Sequence, residues 1–479
     1  MKPLWTAVVA LGLAGAAWAD DEVPLTLKDR EARVLEREAR QDDAETVRKL
    51  KEGAAREKTQ ETEELSSRVS RIEKQMASAG QTWDASKMLT FATADGNFTA
   101  KVGGRIYFNY RHVFDRDDST GAAADTFWMD TARFQLDGTF FKDFLYRVEG
   151  EAKSGTTAGS GFLTKDVFVG WNLGEILTLR GGQMKVPFSP EETCSSRFID
   201  FAERSIINRW MPAHNQGFLI NGAFADKIFE WTLGVMNTSI NRDQGKGSVD
   251  FSDEKDLVGR LFISPFRSSS NLFKTLRLGV DFTVGQVDDA AQGDISTGDL
   301  GGTLMTDFAA TTTLDGMRQR MLGSFAWAYG SVGVRAEYAV ITQELQDGLP
   351  ESEYEVTMWL AQASWLITGE EKVIDNRIKP KNNFAPLQGG WGAFELAVRV
   401  AAYEVGDETR TAGVGLVAAG GNLETQETTI GLNWWWAPNV VWRINYEMLK
   451  FDEDIAGIST GGEPDDRQDI FIVRWQIDF

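Results

Sequence analysis

The 479-residue chain has little of several residue types. It contains one cysteine, which excludes a disulfide scaffold and any cysteine-based zinc or iron–sulfur site. It has no run of about 20 apolar residues, the length that a membrane-spanning helix needs, and its mean hydropathy is −0.29, so a bundle of such helices is excluded. Its 50 Lys and Arg residues are outnumbered by 71 Asp and Glu residues. This net charge of −21 argues against a nucleic-acid-binding protein, which needs a basic surface. What the chain does have is 47 glycines and 16 tryptophans.

The N-terminus has the pattern of a secretory signal peptide. Lys2 supplies a positive charge, residues 4–17 form an apolar run of small residues, and Ala17-Trp-Ala19 matches a cleavage site. An uncleaved membrane anchor is the alternative, but the apolar run is shorter than the roughly 18 residues that a spanning helix requires. We therefore expect residues 1–19 to be removed and the rest of the chain to be exported.

Residues 20–82 form a separate polar segment with 16 acidic and 13 basic residues. Leu65, Val69, Ile72 and Met76 are spaced 4, 3 and 4 residues apart, the seam of a heptad repeat. A lone helix with so thin an apolar stripe buries too little to fold by itself. The segment is therefore predicted to be a periplasmic α-helical coiled coil of several copies, followed by a linker over 83–97. A charged, partly disordered spacer is the alternative.

From residue 98 the hydrophobic period changes to two. In residues 98–111, apolar side chains such as Ile106 and Phe108 alternate with polar ones such as Arg105 and Asn109. About sixteen such runs follow one another, at 98–111, 127–141, 143–154, 164–173, 176–187, 217–225, 228–238, 255–265, 274–287, 317–329, 331–344, 353–368, 391–405, 425–437, 439–452 and 467–479. Many have more than the roughly 9–11 residues that cross a bilayer as a tilted strand. Residues 98–479 are therefore predicted to be an all-β transmembrane barrel of about 16 antiparallel strands.

The connections between these runs alternate between short turns and long loops. The predicted long loops are 112–126, 188–216, 239–254, 288–316, 406–424 and 453–466. This asymmetry is typical of outer-membrane barrels, which have short periplasmic turns and long extracellular loops. Residues 369–390 break the rule, because a short turn is expected there, so the strand count is open at this point.

The last run ends on Phe479, with apolar side chains at alternate positions back to Phe471. Such an ending resembles the recognition signal of bacterial outer-membrane barrel proteins. Its physical basis is closure, since the last strand must pair with the first so that no unpaired edge faces lipid. A soluble jelly roll also shows alternation, but it needs neither sixteen long strands nor a signal peptide.

The segment from Arg180 to Ser205 is similar to the phosphate-selective porin O and P family, in which a G-Q-x-K-x-P-F strand end leads into a third extracellular loop. The matching residues are Gly182, Gln183, Lys185, Pro187, Phe188, Ser195, Ser196, Arg197, Glu203 and Arg204. Weaker matches lie at 365–370 and 389–399. The resemblance implies a sixteen-stranded homotrimeric channel in the outer membrane, with loop 188–216 folded inward as a constriction.

The inward phase of the strands carries many cations. The predicted lumen ladder consists of Lys101, Arg105, Arg133, Arg147, Arg180, Arg277, Arg335, Arg399 and Arg443; Arg111, Lys153, Arg260 and Arg474 share this phase. Lys185, Arg197, Arg204 and Arg209 are the candidate anion-binding residues of the constriction. A planar guanidinium suits oxyanions because it can hold two oxygens at once. The alternative is a plain charged lumen, in which inward acids such as Glu149 and Glu337 pair with the arginines across strands.

The predicted function is passive diffusion of small hydrophilic solutes, with a preference for anions such as phosphate or a related oxyanion. The expected partners are outer-membrane lipid, small anionic solutes and, through residues 20–82, the cell wall. No catalytic, metal or cofactor site is expected, because no H-E-x-x-H or P-loop string occurs.

The alternative function is a general or non-anion-selective porin whose N-terminal helices act as an envelope tether. Charge is the main argument for it. Residues 1–19 carry one positive charge and residues 20–82 a net of three negative charges, so residues 83–479 have a net charge of −19. Such a barrel attracts anions only if its acids lie outside the pore, on loops.

Overall fold

The structure is a computed structural model that describes residues 27–78, 81–82, 89–114, 125–153, 161–238, 253–291, 294–296, 304–308, 313–345, 353–406, 421–460 and 463–479. The chain divides into two units, Met1–Gln75 and Met76–Phe479. The predicted signal peptide, 1–19, and residues 83–88 of the predicted linker lie outside the described residues and stay predictions.

The described residues of the first unit all belong to one long helix, α1, over Leu27–Ser78, whose last three residues fall in the second unit. Its sequence is rich in Ala, Glu, Lys and Arg, which are strong helix formers, and contains no proline. Leu35, Leu65 and Val69 on this helix are exposed. Among the described residues, no helix is both long and apolar enough to span a membrane. Association of α1 with other copies of itself remains a prediction.

The second unit is a closed antiparallel barrel of sixteen strands. They are β1 Thr99–Val113, β2 Asp125–Phe140, β3 Phe144–Lys153, β4 Gly161–Asn172, β5 Thr178–Lys185, β6 His214–Phe224, β7 Phe229–Asn237, β8 Lys255–Ile263, β9 Arg277–Ala291, β10 Thr313–Tyr329, β11 Val332–Leu345, β12 Glu353–Leu366, β13 Ala393–Val405, β14 Glu424–Ala437, β15 Val440–Thr460 and β16 Glu463–Asp478. Each strand pairs with the next, and β16 pairs with β1 from Ile470↔Val113 to Asp478↔Arg105. The predicted fold class and strand count are confirmed.

Four short strands and three short helical turns complete the described elements. The short strands are Gln81–Thr82, Leu89–Ala92, Ile295–Ser296 and Leu304–Thr306; the helical turns are α2 Pro190–Thr193 and two 3-10 helices, Ile206–Arg209 and Pro386–Gln388. Leu89–Ala92 pairs with the start of β1.

The two faces of each strand have opposite character, as the alternation predicts. In β1, Arg105 is 3% exposed and Tyr107 is buried, whereas Ile106 is 45% exposed and Phe108 is also exposed. Large exposed apolar residues recur on the outer face of the other strands, among them Phe127, Val169, Phe218, Val280 and Ile430. The outer surface is therefore compatible with hydrocarbon, and the polar side chains point into the barrel.

Closure of the barrel depends on a glycine opposite the C-terminal residue. The backbone N–H of Gly104 donates a hydrogen bond to the Phe479 carbonyl at 2.9 Å. The Gly104 carbonyl accepts a hydrogen bond from the Phe479 N–H at 3.0 Å. A Cβ on Gly104 would lie 2.6 Å from the Arg133 carbonyl oxygen and 2.8 Å from the Phe479 ring. Both contacts are closer than real Cβ atoms tolerate, so a larger side chain forces β1 and β16 apart.

Gly104→Val is therefore expected to reduce the yield of assembled barrel by about tenfold, the effect of roughly 1.4 kcal/mol. The measurement is the fraction of the faster-migrating, heat-modifiable form on a gel of membrane extracts. Gly323→Val is the matched control, because nothing lies within 4 Å of a Cβ at that glycine. Equal yields of assembled barrel for the two variants would show that closure does not depend on Gly104.

The largest connection is L3, residues 186–213, which runs from β5 to β6 and folds into the barrel. Its apolar residues, including Phe188, Ile207 and Met211, join a buried cluster with inward-facing wall residues such as Met358 and Tyr403. The inward side chains of β11–β16 are consequently almost all buried. Open space remains on the opposite side, between L3 and β1–β5. The predicted boundaries of this loop, 188–216, move to 186–213 because β6 already begins at His214.

Two other connections differ from the prediction. Residues 453–466, which lie between two alternating runs, were predicted to be a long loop, but they mostly extend β15 and β16, with an irregular register. Residues 369–390 do not hide a missed strand, since β12 and β13 pair directly as neighbours. We call residues 367–392 the turn-side connection; part of it enters the barrel interior.

Candidate functional site: the pore constriction

The open space beside L3 is a cavity of about 390 Å³. Its walls come from β1–β5, from L3 and from single residues at the ends of β6 and β16. The basic side chains that line it are Arg105, Arg133, Arg147, Lys165, Lys185, Arg197, Arg204, Arg209 and Arg474; the acidic ones are Asp130, Glu149, Glu151, Asp166, Glu192 and Glu203. Among the described residues of its lining, nine cations against six carboxylates leave a local surplus of positive charge, although the barrel region as a whole is acidic.

The positive charge of Arg197 on L3 is only weakly compensated by a carboxylate. Its Nη2 donates to the Gln135 side-chain oxygen at 3.1 Å, and its Nε lies 3.9 Å from a carboxylate oxygen of Asp478. Burial, together with the positive charge of Arg105, lowers the pKa of Arg197 to about 10. The guanidinium is still charged at neutral pH, so it presents a positive charge at the edge of the cavity.

A group of hydroxyls lies near Arg197. Arg105 Nη1 donates to Ser195 Oγ at 3.0 Å and to Ser196 Oγ at 3.1 Å. The Tyr107 hydroxyl lies 3.1 Å from Ser196 Oγ. Because each serine oxygen accepts a hydrogen bond from Arg105, its own O–H remains able to donate. The cluster therefore combines cationic and neutral donors, the set that an oxyanion needs.

Arg204 and Lys185 have a different role from Arg197. Arg204 donates to the backbone carbonyls of Glu191 and Cys194 at 2.9 and 2.6 Å. Lys185 Nζ donates to the Glu192 carbonyl and lies 3.1 Å from that residue's carboxylate. Both side chains line the cavity but use most of their donors to hold the first turn of L3. Arg209 ends the 3-10 helix Ile206–Arg209 and lines the same cavity.

The predicted lumen ladder is divided between two environments. Arg105, Arg133 and Arg147 line the cavity, where Arg105 and Arg133 share Glu149 at 2.6 and 2.8 Å. The others lie outside its lining. Arg277 and Arg335 pair with Asp375, Arg399 pairs with Glu427, Arg443 donates to the Arg197 carbonyl, Arg180 lies 5.6 Å from the centre of the Phe168 ring, and Lys101 is exposed near the start of β1. Many of these cations therefore have carboxylate partners in the wall or its inserts.

Wall carboxylates and amides hold the backbone of L3. Glu337 on β11 accepts hydrogen bonds from the Ser189 hydroxyl and the Glu191 N–H, both at 2.6 Å. Glu427 on β14 accepts from the Ile206 N–H at 2.8 Å, and Asn445 on β15 accepts from the Ala202 N–H at 2.6 Å. Part of the acid surplus of the barrel is thus used to fasten the loop.

Sequence reasoning missed several residues of the constriction. Lys165, Gln135 and Tyr107 line the cavity, and their inward phase was the available signal. His214 contacts Asp166, with 3.3 Å between Nε2 and a carboxylate oxygen. Cys194 is buried. Among the described residues, no group of His, Cys, Asp and Glu side chains is arranged to hold a metal ion.

A closed barrel of sixteen long strands with an apolar exterior and an inward-folded loop that narrows a polar lumen is the architecture of an outer-membrane porin. Residues 100–479 match the family described as "Phosphate-selective porin O and P". The chain therefore belongs to this family, whose members are channels and not enzymes, and it is an outer-membrane protein.

Individual proteins resemble the chain more distantly. Porin O of Pseudomonas aeruginosa is 23% identical over 414 residues, with 82% of this chain and 91% of Porin O covered. The outer membrane channel DcaP of Acinetobacter baumannii is similar in fold, with a TM-score of 0.50 and 10% identity over 81% of this chain and 99% of that one. An anion-selective porin from Comamonas acidovorans has a TM-score of 0.47 and 13% identity, with 80% and 100% covered.

Proposed function

We propose that the protein is an anion-preferring porin through which small oxyanions, phosphate first among them, diffuse passively. The observation that carries this proposal is the charge of the constriction, where nine cations face six carboxylates. A charge surplus in a narrow, partly dehydrated passage acts on an ion more strongly than charges on exposed loops do, since loops are screened by water and salt. The negative net charge of the barrel region does not oppose an anion preference, because some of its acidic residues are used to hold L3 and do not face the passage.

The hydroxyl group cluster near Arg197 is what favours an oxyanion over chloride. Ser195 and Ser196 can each donate a hydrogen bond to an oxygen atom, and Arg197 can donate two. Chloride gains less from such directed donors than a tetrahedral ion with four oxygens does.

The test is single-channel recording in a planar bilayer with a KCl gradient. The sign of the reversal potential gives the preference, and millimolar phosphate should then reduce the chloride current. Preference for potassium over chloride would refute the proposal; anion preference without any effect of phosphate would leave only a general anion channel.

A second candidate function is a general porin without anion preference. The observation that favours it is the pairing of lumen cations, since Arg133 contacts both Glu149 and Glu151 at 2.8 and 2.9 Å. Cations neutralised in this way would only build the wall. The same recording distinguishes the two candidate functions, because a channel without ion preference gives a reversal potential near zero.

We further propose that the barrel assembles as a homotrimer in outer-membrane lipid, with the N-terminal segment in the periplasm. The helix α1 has 52 residues, about 78 Å at the rise of an α-helix. That length and its exposed Leu65 and Val69 suit a coiled coil that reaches towards the cell wall as a tether. Deleting residues 20–82 should leave single-channel conductance unchanged while weakening attachment of the outer membrane to the cell wall.

A further inference from the structure

The turn-side connection enters the barrel interior at Lys372. The Lys372 N–H donates to the Gly330 carbonyl at 2.8 Å, which attaches the segment to the turn between β10 and β11. The lysine stem then passes over Gly333 on β11, where an added Cβ would lie only 2.8 Å from Lys372 Cγ. Because Gly333 has no side chain, the Lys372 side chain can pass it and reach the barrel interior.

The Lys372 ammonium joins L3 to the barrel wall. Its Nζ lies 2.5 Å from Asp200 Oδ1 on L3 and 2.5 Å from Glu395 Oε1 on β13. The three side chains are 4%, 6% and 0% exposed. Burial by itself would raise the pKa of Asp200, yet the charge of Lys372 lowers it, so this carboxylate stays ionised. A buried ammonium between two carboxylates strongly fixes the positions of all three groups.

The next residues of the connection continue across the interior. Asp375 accepts hydrogen bonds from Arg277 on β9 and Arg335 on β11, at 2.6 and 2.7 Å. Arg377 pairs with Asp478 on β16, so residues 372–377 bridge opposite parts of the wall. This bridge also reaches L3, because the Asp375 carboxylate lies close enough to the Cys194 thiol to raise its pKa and the Arg377 guanidinium lies 5.7 Å from the centre of the Phe198 ring.

We propose that the turn-side connection is a strut that positions L3, and that Lys372 is its central positioning residue. Asp200 lies only three residues from Arg197, so a shift of L3 at Asp200 moves the guanidinium at the cavity. The selectivity consequence rests on the proposed anion preference; the positioning itself does not.

The variant Lys372→Met removes the ammonium and keeps the length of the side chain. Lys379→Met is the matched control, because Lys379 lies on the same connection and is exposed. The first readout is the labelling rate of Cys194 by a maleimide in the full-length protein, whose only cysteine it is. This thiol is buried where L3 meets the connection, and its burial, together with Asp375, raises its pKa to about 12. Loosening the contact exposes the thiol and raises its thiolate fraction, so labelling should accelerate at least about tenfold in Lys372→Met and not in Lys379→Met.

The second readout is single-channel recording of the same variants. We expect larger fluctuations of the open current in Lys372→Met and a weaker anion preference, although every cation of the constriction is retained. If Lys372 only adds stability, Lys372→Met should lower the unfolding temperature but leave labelling and selectivity at the values of the Lys379→Met control.

Asp200→Asn keeps the Lys372–Glu395 pair, removes the ionic contact of Lys372 with L3, and leaves an amide oxygen that can still accept from Gln362. It therefore decides the question if Lys372→Met does not assemble. It should give the same gain in labelling. The proposed strut would be refuted by a wild-type labelling rate in Asp200→Asn, together with a wild-type rate in Lys372→Met if that variant assembles. A wild-type channel that prefers cations would refute the proposed function instead, while the labelling result would still decide the role of Lys372.

Discussion

Replacing Arg197 with glutamate should reverse the ion preference of the channel. One unit charge at about 4 Å from a permeating ion is worth about 1 kcal/mol even in bulk water. Changing +1 to −1 therefore raises the free energy of a permeating anion by about 2 kcal/mol and lowers that of a cation by about 2 kcal/mol. Their difference changes by about 4 kcal/mol, which is on the order of 1000-fold in the permeability ratio. The measurement is the reversal potential of single channels in a KCl gradient.

Two controls identify the position of the charge as the cause. Lys142→Glu makes the same charge change on an exposed turn and should leave the reversal potential unchanged. Arg197→Gln should give an intermediate value, and its difference from the wild type should disappear as the pH rises through about 10, where wild-type Arg197 loses its proton. A permeability ratio in Arg197→Glu within about twofold of the wild type would remove Arg197 from the constriction.

Glu337→Ala should release the first part of L3 from the wall. It leaves the buried Ser189 hydroxyl and Glu191 N–H without their acceptor. Each buried donor left without its acceptor costs about 1–3 kcal/mol, so a loss of about 2 kcal/mol or more in stability is expected. Ser189 also has a φ of 56°, a left-handed conformation that a non-glycine residue keeps only when its surroundings hold it. The expected result is a lower unfolding temperature together with a larger and noisier open current.

The matched comparison uses two other glutamate variants. Glu337→Gln retains one side-chain oxygen as an acceptor and should lie between Glu337→Ala and the wild type. Glu353→Ala removes an exposed carboxylate from the neighbouring strand β12 and should change neither property. A stable Glu337→Ala channel with wild-type current would show that L3 does not depend on this carboxylate.

Most of the barrel was predictable from the sequence because its signal is local. Alternation in β1 between Arg105 and Ile106 depends only on the geometry of a strand, whose successive side chains point to opposite faces. The helix α1 was predictable for a similar reason, from its period and composition. The hairpin beyond residue 452 was missed because its composition is that of a loop, although its backbone continues to pair.

The constriction was only partly predictable. The motif around Arg197 and Arg204 indicated the right loop, but it made the two arginines look equivalent. In the structure, Arg204 donates hydrogen bonds to carbonyls of its own loop, whereas Arg197 donates to the neutral side chain of Gln135 and lines the cavity. The length of the connection at 369–390 was visible as an anomaly, yet nothing in it indicated contact with L3, because Asp200 and Lys372 are 172 residues apart.

The sequence alone determined the absences and the periods. One cysteine, the absence of a long apolar run, an alternation of period 2 from residue 98 and a closing Phe479 were sufficient to predict an outer-membrane barrel after a helical segment. The tertiary structure alone decided what the −19 charge of the barrel region does. A net charge is a sum over positions, whereas an ion in the pore responds to charges within a few ångströms. Only the folded chain shows that Glu337 and Glu427 are used to hold L3 and that positive charge is in surplus at the constriction.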